Sequence, residues 1–437
     1  MARAAEQRTA DGDDPPTIVL LTGNSLCHNP RAAKTAAALS SAGYRVQVLG
    51  AWLDGGLKAR DLQLLAAAAF EFIPVVDTTA PGSRRPHIAE RIGRRMALLV
   101  HSLTAHESPR QLGPVVLPLC RAAMRLPAEL YIAHSEAGLF AARELMRHGC
   151  KVGVDMEDWF SEDLPEAERR HRPLRLLRML ETAVLRSGAY ASCPSHVMAE
   201  ALAAAYDRPA PTVIYNAFPW SDRARLAAET DHRRHRARPS LYWFSQTLGP
   251  GRGIEDLVAA LPLLRGECDI HLRGHPARGF AEWIGEQLPP AWRGRVHLHG
   301  LAANDALLTG IAGHDIGFAG EQPHCRSRAL TVTNKLLHYL LAGLPVIASN
   351  TDGQREIAAA APQAVTLYRA GDAQDLAQRL DELIASPGRR VAARQAALAA
   401  AQSRFCWERQ ERRLLAAISA ALRPTGAAAP REFEPVR

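Results

Sequence analysis

The stretch TVTNKLLHYLLAGLPVIASNTDGQREI, residues 331–357, decides how this chain folds. Thr333 and Asn334 carry short polar side chains of the kind that cap a helix, and the helix they cap begins near Lys335. PVIASN then gives a short β-branched strand. A strand entered from a helix is the unit of a parallel sheet covered by helices. Leu336 to Ala348 is the longest strongly apolar run, but His338, Tyr339, Gly343 and Pro345 interrupt it, and it is too short to cross a bilayer.

Working outward, the same alternation fills both halves of the chain. The second half holds SLYWFSQ, DIHLRGH, RVHLHG, HDIGFAG and AVTLYR, and the first holds TIVLLTG from Thr17, YRVQVLG, EFIPVV, LYIAHS from Leu130, KVGVDME, AYASCPS and TVIYNA. Between them a polar, basic segment from Ser221 to Pro239 breaks the pattern and reads as a linker. The expected fold class is α/β, with two Rossmann-like doubly wound domains facing across a cleft lined by strand carboxyl ends. The expected organisation is a polar tail over residues 1–16, a first domain over 17–220, the linker over 221–239 and a second domain over 240–403. A last amphipathic helix over 404–423 and a tail over 424–437 complete it.

Composition agrees. At about 150 residues per domain, 437 residues make two or three domains, and 47% apolar with 22% charged residues excludes a disordered or collagenous chain. Seven cysteines, an odd number without a close pair, argue against a disulfide framework and a zinc site. The opening MARAAEQRTADGDDPP has no apolar core, so no secretory signal is expected and the cytoplasm is the expected location.

Lys plus Arg number 53 against 45 Asp plus Glu, a net charge of +8 that favours anionic partners. Between Arg84 and Arg125 lie Arg84, Arg85, Arg91, Arg94, Arg95, Arg110, Arg121 and Arg125 against Glu90 and Glu107, interleaved with Ile88, Ile92, Met96, Leu98, Leu99 and Leu103. This basic amphipathic pattern reads either as a surface for an anionic membrane or acceptor, peripheral at the inner face of the cell membrane, or as a solvated helix face. Nucleic acid is not an expected partner, because no aromatic stacking platform accompanies the charge.

The candidate site residues stand at expected strand ends. Asn29 and Pro30 open a helix whose first turn holds Arg31 and Lys34, which suits a phosphate or polar acceptor, or is plain capping. His134 closes a strand where it can exchange protons near neutrality, or rest as a satisfied hydrogen-bonding group. Asp155, Glu157 and Asp158 end another strand, where carboxylates bind sugar hydroxyls or brace a loop; without alternating histidines they do not read as a metal site. SQTLGPGRGIEDLVAAL sets Gly249, Gly251 and Gly253 around Arg252 before a helix, so backbone amides can approach a ligand and a guanidinium can fork onto phosphate oxygens. The spacing GxGxG is not the dinucleotide fingerprint. Arg252, Lys335 and the helix start after Thr333 together would neutralise a diphosphate.

These residues resemble the GT-B glycosyltransferases, specifically the large retaining, family 4-like group that includes glycogen-synthase-like and bacterial mannosyl- and glucosyltransferases. NPRAAKTAAALSSAGYRVQVL is similar to its acceptor-side segment, DMEDWFSE to its central strand end, VIYNAFP to the segment before its linker and GPGRGIEDLVAAL to its donor-phosphate loop. NKLLHYLLAGLPVIAS is the most specific match. The resemblance implies transfer from a nucleotide-diphosphate sugar, with retention, to a glycan, lipid-linked or small-molecule acceptor, as in polysaccharide biosynthesis. It implies no cofactor beyond that co-substrate. Donor-binding would fall to Gln246, Gly251, Arg252, Gly253, Asn334, Lys335 and His338, and the acceptor side to Asn29, Arg31, Lys34, Asp155, Glu157 and Asp158. The final helix would cross back between the domains.

Two positions depart from the family pattern. Gln246 stands where an arginine is usual, and His338 where a glutamate takes the ribose hydroxyls. No acid stands eight residues before His338, where Leu330 lies, so Glu321 is expected to approach the donor sugar and His134 to contact it or relay a proton. The one Asp-x-Asp lies in the polar tail, so transfer without a metal is expected. Two alternatives stay open: an epimerase or hydrolase on the same fold, and a decayed subunit that binds nucleotide sugar without turnover.

Overall fold

The computed structural model describes residues 14–80, 84–169, 172–226, 238–302 and 304–423. They form two compact units. One comprises the described residues up to Cys193, with Ala199–Val213 and the chain from Glu411; the other comprises Pro194–Met198 and Ile214–Gln410.

The first unit holds a parallel sheet of seven strands: β1 (Thr17–Leu21), β2 (Arg45–Trp52), β3 (Glu71–Asp77), β4 (Leu130–Ala133), β5 (Val152–Asp155), β6 (Tyr190–Cys193) and β7 (Thr212–Val213). Their spatial order is β3-β2-β1-β4-β5-β6-β7. Ile18 is opposite Val46 on one side and Leu130 on the other, so β1 is central. Ile18 to Leu21 are fully buried, as a strand covered on both faces requires.

The second unit holds six parallel strands: β8 (Ser240–Leu248), β9 (Asp269–Pro276), β10 (Val296–His299), β11 (Ile316–Ala319), β12 (Val346–Ser349) and β13 (Val365–Tyr368), in the order β10-β9-β8-β11-β12-β13. Leu241, Trp243, Ile270, Ile316, Phe318 and Ile347 are central to its core.

Six helices matter below: α1 (Pro30–Ser41), α2 (Arg84–Thr104), α3 (Glu136–Arg147), α4 (Ile254–Ala260), α5 (Asn334–Ala342) and α6 (Trp407–Leu422). Ser135 caps α3 by accepting from the Gly138 N–H at 3.0 Å, and a Cβ at Gly138 would lie 2.4 Å from the Leu21 carbonyl, so glycine lets α3 pack against β1. Gly343 ends α5 in the left-handed region, at φ +72°.

Every expected strand is present, with adjusted ends. The largest difference is TVIYNA, of which only Thr212–Val213 pairs. The Tyr215 N–H instead donates to Gln410 Oε1 at 3.2 Å, so the chain leaves the ladder for a side-chain partner on α6. The linker differs too. Trp220–Leu226 forms a 3-10 helix, tied down where Glu408 accepts from the Trp220 N–H at 3.0 Å. Residues 227–237 of the expected linker lie outside the described residues, as do most of the first expected tail and all of the last. The last helix begins at Trp407 rather than 404, after a π-turn over Ala401–Phe405. Among the described residues no helix is long and apolar enough to cross a membrane.

Candidate functional site

In each sheet the winding reverses beside its first strand. From β1 the chain proceeds to β2 and β3, then returns to the other side of β1 as β4. From β8 it proceeds to β9 and β10, then returns as β11. The crevice at the carboxyl end of such a reversal is where open α/β sheets take ligands.

In the first unit this point gathers Asn29, His134 and a buried ion pair. Asn29 caps α1 by accepting from the Ala32 N–H at 2.9 Å and donates through Nδ2 to the His134 carbonyl at 3.2 Å, clamping the loops after β1 and β4 together. Arg31 is not a surface cation at the helix start: it is 1% exposed, and its guanidinium is committed to the Asp155 carboxylate, with Nη2 to Oδ1 at 2.8 Å. Ser192, opposite Asp155 in the sheet, donates to the same oxygen at 2.8 Å. Burial pushes the Asp155 carboxyl up, but Arg31 and then His134 outweigh it and hold the group below its usual range. The pair ties α1 to the end of β5.

His134 follows β4, and its backbone N–H still donates to the Leu21 carbonyl at 3.0 Å. Its Nδ1 is 3.5 Å from Asp155 Oδ2, and neither ring nitrogen has a hydrogen-bond partner. Burial pushes its pKa down to about 4, opposed by Asp155 and assisted by Arg31. The imidazole is therefore neutral at neutral pH, which corrects the expectation that it exchanges protons there. An unpartnered buried polar group costs about 1–3 kcal/mol, which a ligand hydroxyl would offset. Glu157 behaves oppositely: burial pushes its carboxyl up to about 7, against Arg31 and Lys34 and with help from Asp158 and Asp155.

In the second unit the loops after β8 and β11 meet at Gly253. A Cβ there would lie 1.9 Å from the Gly320 carbonyl oxygen, and φ is +78°, so glycine is required for this close approach. The approach is thus to protein backbone, where the sequence suggested a ligand. The Gly251 N–H donates to Glu255 Oε1 at 2.7 Å. Arg252, partly buried, donates to Ser245 Oγ at 3.0 Å. Gln246 lies exposed within β8, beside Ser245 in an irregularity of the β8–β9 register.

Lys335, on the first turn of α5, pairs with the buried Glu321 carboxylate and lies 5.5 Å from the centre of the Trp243 ring. Burial pushes Glu321 up, but Lys335 first, then Arg328 and Arg252, outweigh it and hold the carboxyl below its usual range. Glu321 is thereby part of a cation cluster. Ser349 at the end of β12 donates to the Glu321 carbonyl, and Gln354 donates to Ser349 Oγ at 2.7 Å, fixing the loop. The N-cap of α5 is Thr333, whose hydroxyl makes no cap bond, and Asn334 is the first helical residue rather than its cap. His338 stacks on Phe218 at 3.4 Å between ring centres, meets Phe244 edge-on at 5.4 Å, and donates from Nδ1 to the Asn334 carbonyl at 3.1 Å.

The sequence reading missed Arg328, Ser192 and Phe218. Arg328 was within reach, since it follows an expected strand end, HDIGFAG, by eight residues. Ser192 and Phe218 carry no local signal. Among the described residues no group of three or more His, Cys, Asp or Glu side chains is placed to hold a metal ion.

The family described as "Glycosyl transferases group 1" matches residues 238–386, which is the second sheet and its helices. Solved structures match over nearly the whole chain. Anabaena HepE in complex with UDP is 18% identical, over 92% of this chain and 100% of that one, with TM-score 0.65. Sucrose-phosphate synthase from Thermosynechococcus elongatus is 14% identical, over 93% and 98%, with TM-score 0.67. A UDP-forming trehalose-phosphate synthase from Burkholderia xenovorans is 13% identical, over 94% and 100%, with TM-score 0.63. No curated protein matches the sequence. The fold is the two-domain α/β fold of the GT-B glycosyltransferases. With the match over the second sheet, this makes the chain a transferase of the glycosyl class.

Proposed function

We propose that the chain transfers a sugar from a nucleoside-diphosphate donor to a hydroxyl acceptor, with the diphosphate held by the second unit. The observation that carries this reading is the convergence of Arg252, Arg328 and Lys335 on Glu321 at the reversal point of the second sheet. Arg252, Arg328 and Lys335 bring three cations to Glu321, with Glu255 and Asp256 as the neighbouring acids, and breaking a sugar-diphosphate bond places negative charge on the leaving group for such cations to meet. HepE is described in complex with UDP and with UDP-glucose, and a uridine nucleotide is the donor this reading tests first.

In this reading the cations do the work that a divalent ion does elsewhere, so transfer proceeds in the presence of a chelator. The His134 imidazole, neutral and unpartnered, accepts or donates one hydrogen bond to a sugar hydroxyl. The acceptor is held by the first unit, near Lys34, Glu157 and Asp158, while Arg31 and Asp155 position that surface. Retention of anomeric configuration is the outcome expected from the resemblance, and the coupling constant of the product's anomeric proton tests it.

Replacing Arg252 with Ala should lower turnover at least about tenfold, as removal of a charge-stabilising donor does, without loss of the fold. Unchanged donor kinetics in Arg252→Ala, or activity lost to chelation and restored by a divalent ion, would overturn the phosphate assignment. A second reading, binding without turnover, is favoured by one observation: the His338 ring is packed between Phe218 and Phe244 and its Nδ1 is engaged with α5. Calorimetric titration with donor followed by a donor-hydrolysis assay separates the two.

A further inference from the structure

Helix α2 turns its apolar side chains outward. Ile88, Ile92, Met96, Leu99 and Leu103 are between 51% and 76% exposed. Spaced four, four, three and four residues apart, they form one stripe. From Ile88 to Leu103 the stripe runs about 22 Å at 1.5 Å per residue. The other face of the helix is the one anchored to the unit. Arg110 lies against Gly93, and Glu90 pairs with Arg110 at 3.1 Å and Arg121 at 3.0 Å. Arg91 and Arg95, both exposed, border the stripe.

We propose that α2 is a membrane-surface helix, which lays this stripe into the headgroup region of an anionic bilayer while Arg91 and Arg95 meet lipid phosphates. A soluble helix with its apolar face outward leaves that surface in water unless something covers it. Charge selects the cover. Glu90 is the one acid in α2, and it is on the anchored face. A second copy packed antiparallel along the stripe would centre near Met96 and set Arg95 against its own counterpart with no α2 carboxylate to balance it. An anionic lipid surface supplies both the apolar depth and the opposite charge. The proposal is independent of the donor assignment, and donor titration in solution reads that assignment separately.

The test is flotation of the full chain with vesicles of phosphatidylcholine alone, or with about one third phosphatidylglycerol, at low and high salt. The wild type should float with the anionic vesicles at low salt. Leu99→Ser with Leu103→Ser should lower that partition at least about tenfold, and Arg91→Glu with Arg95→Glu should do the same. All four positions are exposed, so an unchanged thermal transition confirms that each variant is folded. Absence of flotation at either ionic strength, equal flotation of variants and wild type, or equal affinity for neutral vesicles would each sink the proposal. So would a concentration-dependent dimer in sedimentation that Leu103→Ser abolishes, since a second copy would then be the cover.

Discussion

Burial makes the charged form of Glu157 costly at neutral pH. Its carboxyl is raised from 4.5 to about 7, mainly by burial, so the native state binds its proton more tightly than the unfolded chain. The stability linked to that proton is fully present below 4.5 and is lost as pH rises through 7. Glu157→Gln, which keeps the shape and removes the charge, should therefore be more stable than wild type above about pH 7, by roughly 1–3 kcal/mol. The advantage should vanish below the unfolded value of 4.5. Urea unfolding across that range checks this, and parallel pH profiles would show that Glu157 ionises normally. The sequence displayed Asp155, Glu157 and Asp158 together but not their different states. Asp155 is held ionised by Arg31, 124 residues away in the chain, and no local pattern announces a partner set by strand order. His134 was visible as a strand-end histidine, whereas its neutrality follows from burial that only the packed sheet creates.

At the scale of elements, short β-branched runs were sufficient to locate every strand, because strands buried on both faces have little freedom in composition. The exception at β7 follows the same physics: Tyr215 left the ladder when a side-chain acceptor on α6, 195 residues distant, satisfied its N–H. The glycine loop before α4 was legible as a site element but not in detail. Gly251 and Gly253 do adopt positive φ, yet the amide of one is taken by Glu255 and the other lies against Gly320. Gly253→Ala forces a Cβ onto the Gly320 carbonyl in a left-handed conformation, so the loops after β8 and β11 must separate. The variant should lose about 2 kcal/mol or more of stability and, with it, donor affinity, whereas Gly279→Ala, also at positive φ but with nothing within 4 Å, should lose less. Equal losses would mean that backbone strain alone matters and the contact with Gly320 is incidental.

Across the whole molecule, each unit offers the same kind of reversal point with opposite chemistry. The first presents a buried Arg31–Asp155 pair, a neutral His134 and a carboxyl poised near neutrality; the second presents Arg252, Arg328 and Lys335 around an ionised Glu321. The proposed nucleoside-diphosphate ligand is expected at the second of these points, and hydrogen exchange reads where it binds. A ligand at about 100 times its dissociation constant stabilises the folded unit that binds it by about 2.7 kcal/mol, so amides that exchange through opening of that unit slow about 100-fold. That protection should appear in residues 249–256 and 320–335, and through β8, β11 and β12, while residues 23–35 and 153–158 change little. Omitting the sugar from the ligand matters here, because His134 is expected to answer to the sugar and not to the diphosphate. Protection confined to residues 23–35 would place the diphosphate on the first unit and would reverse the assignment of the two reversal points.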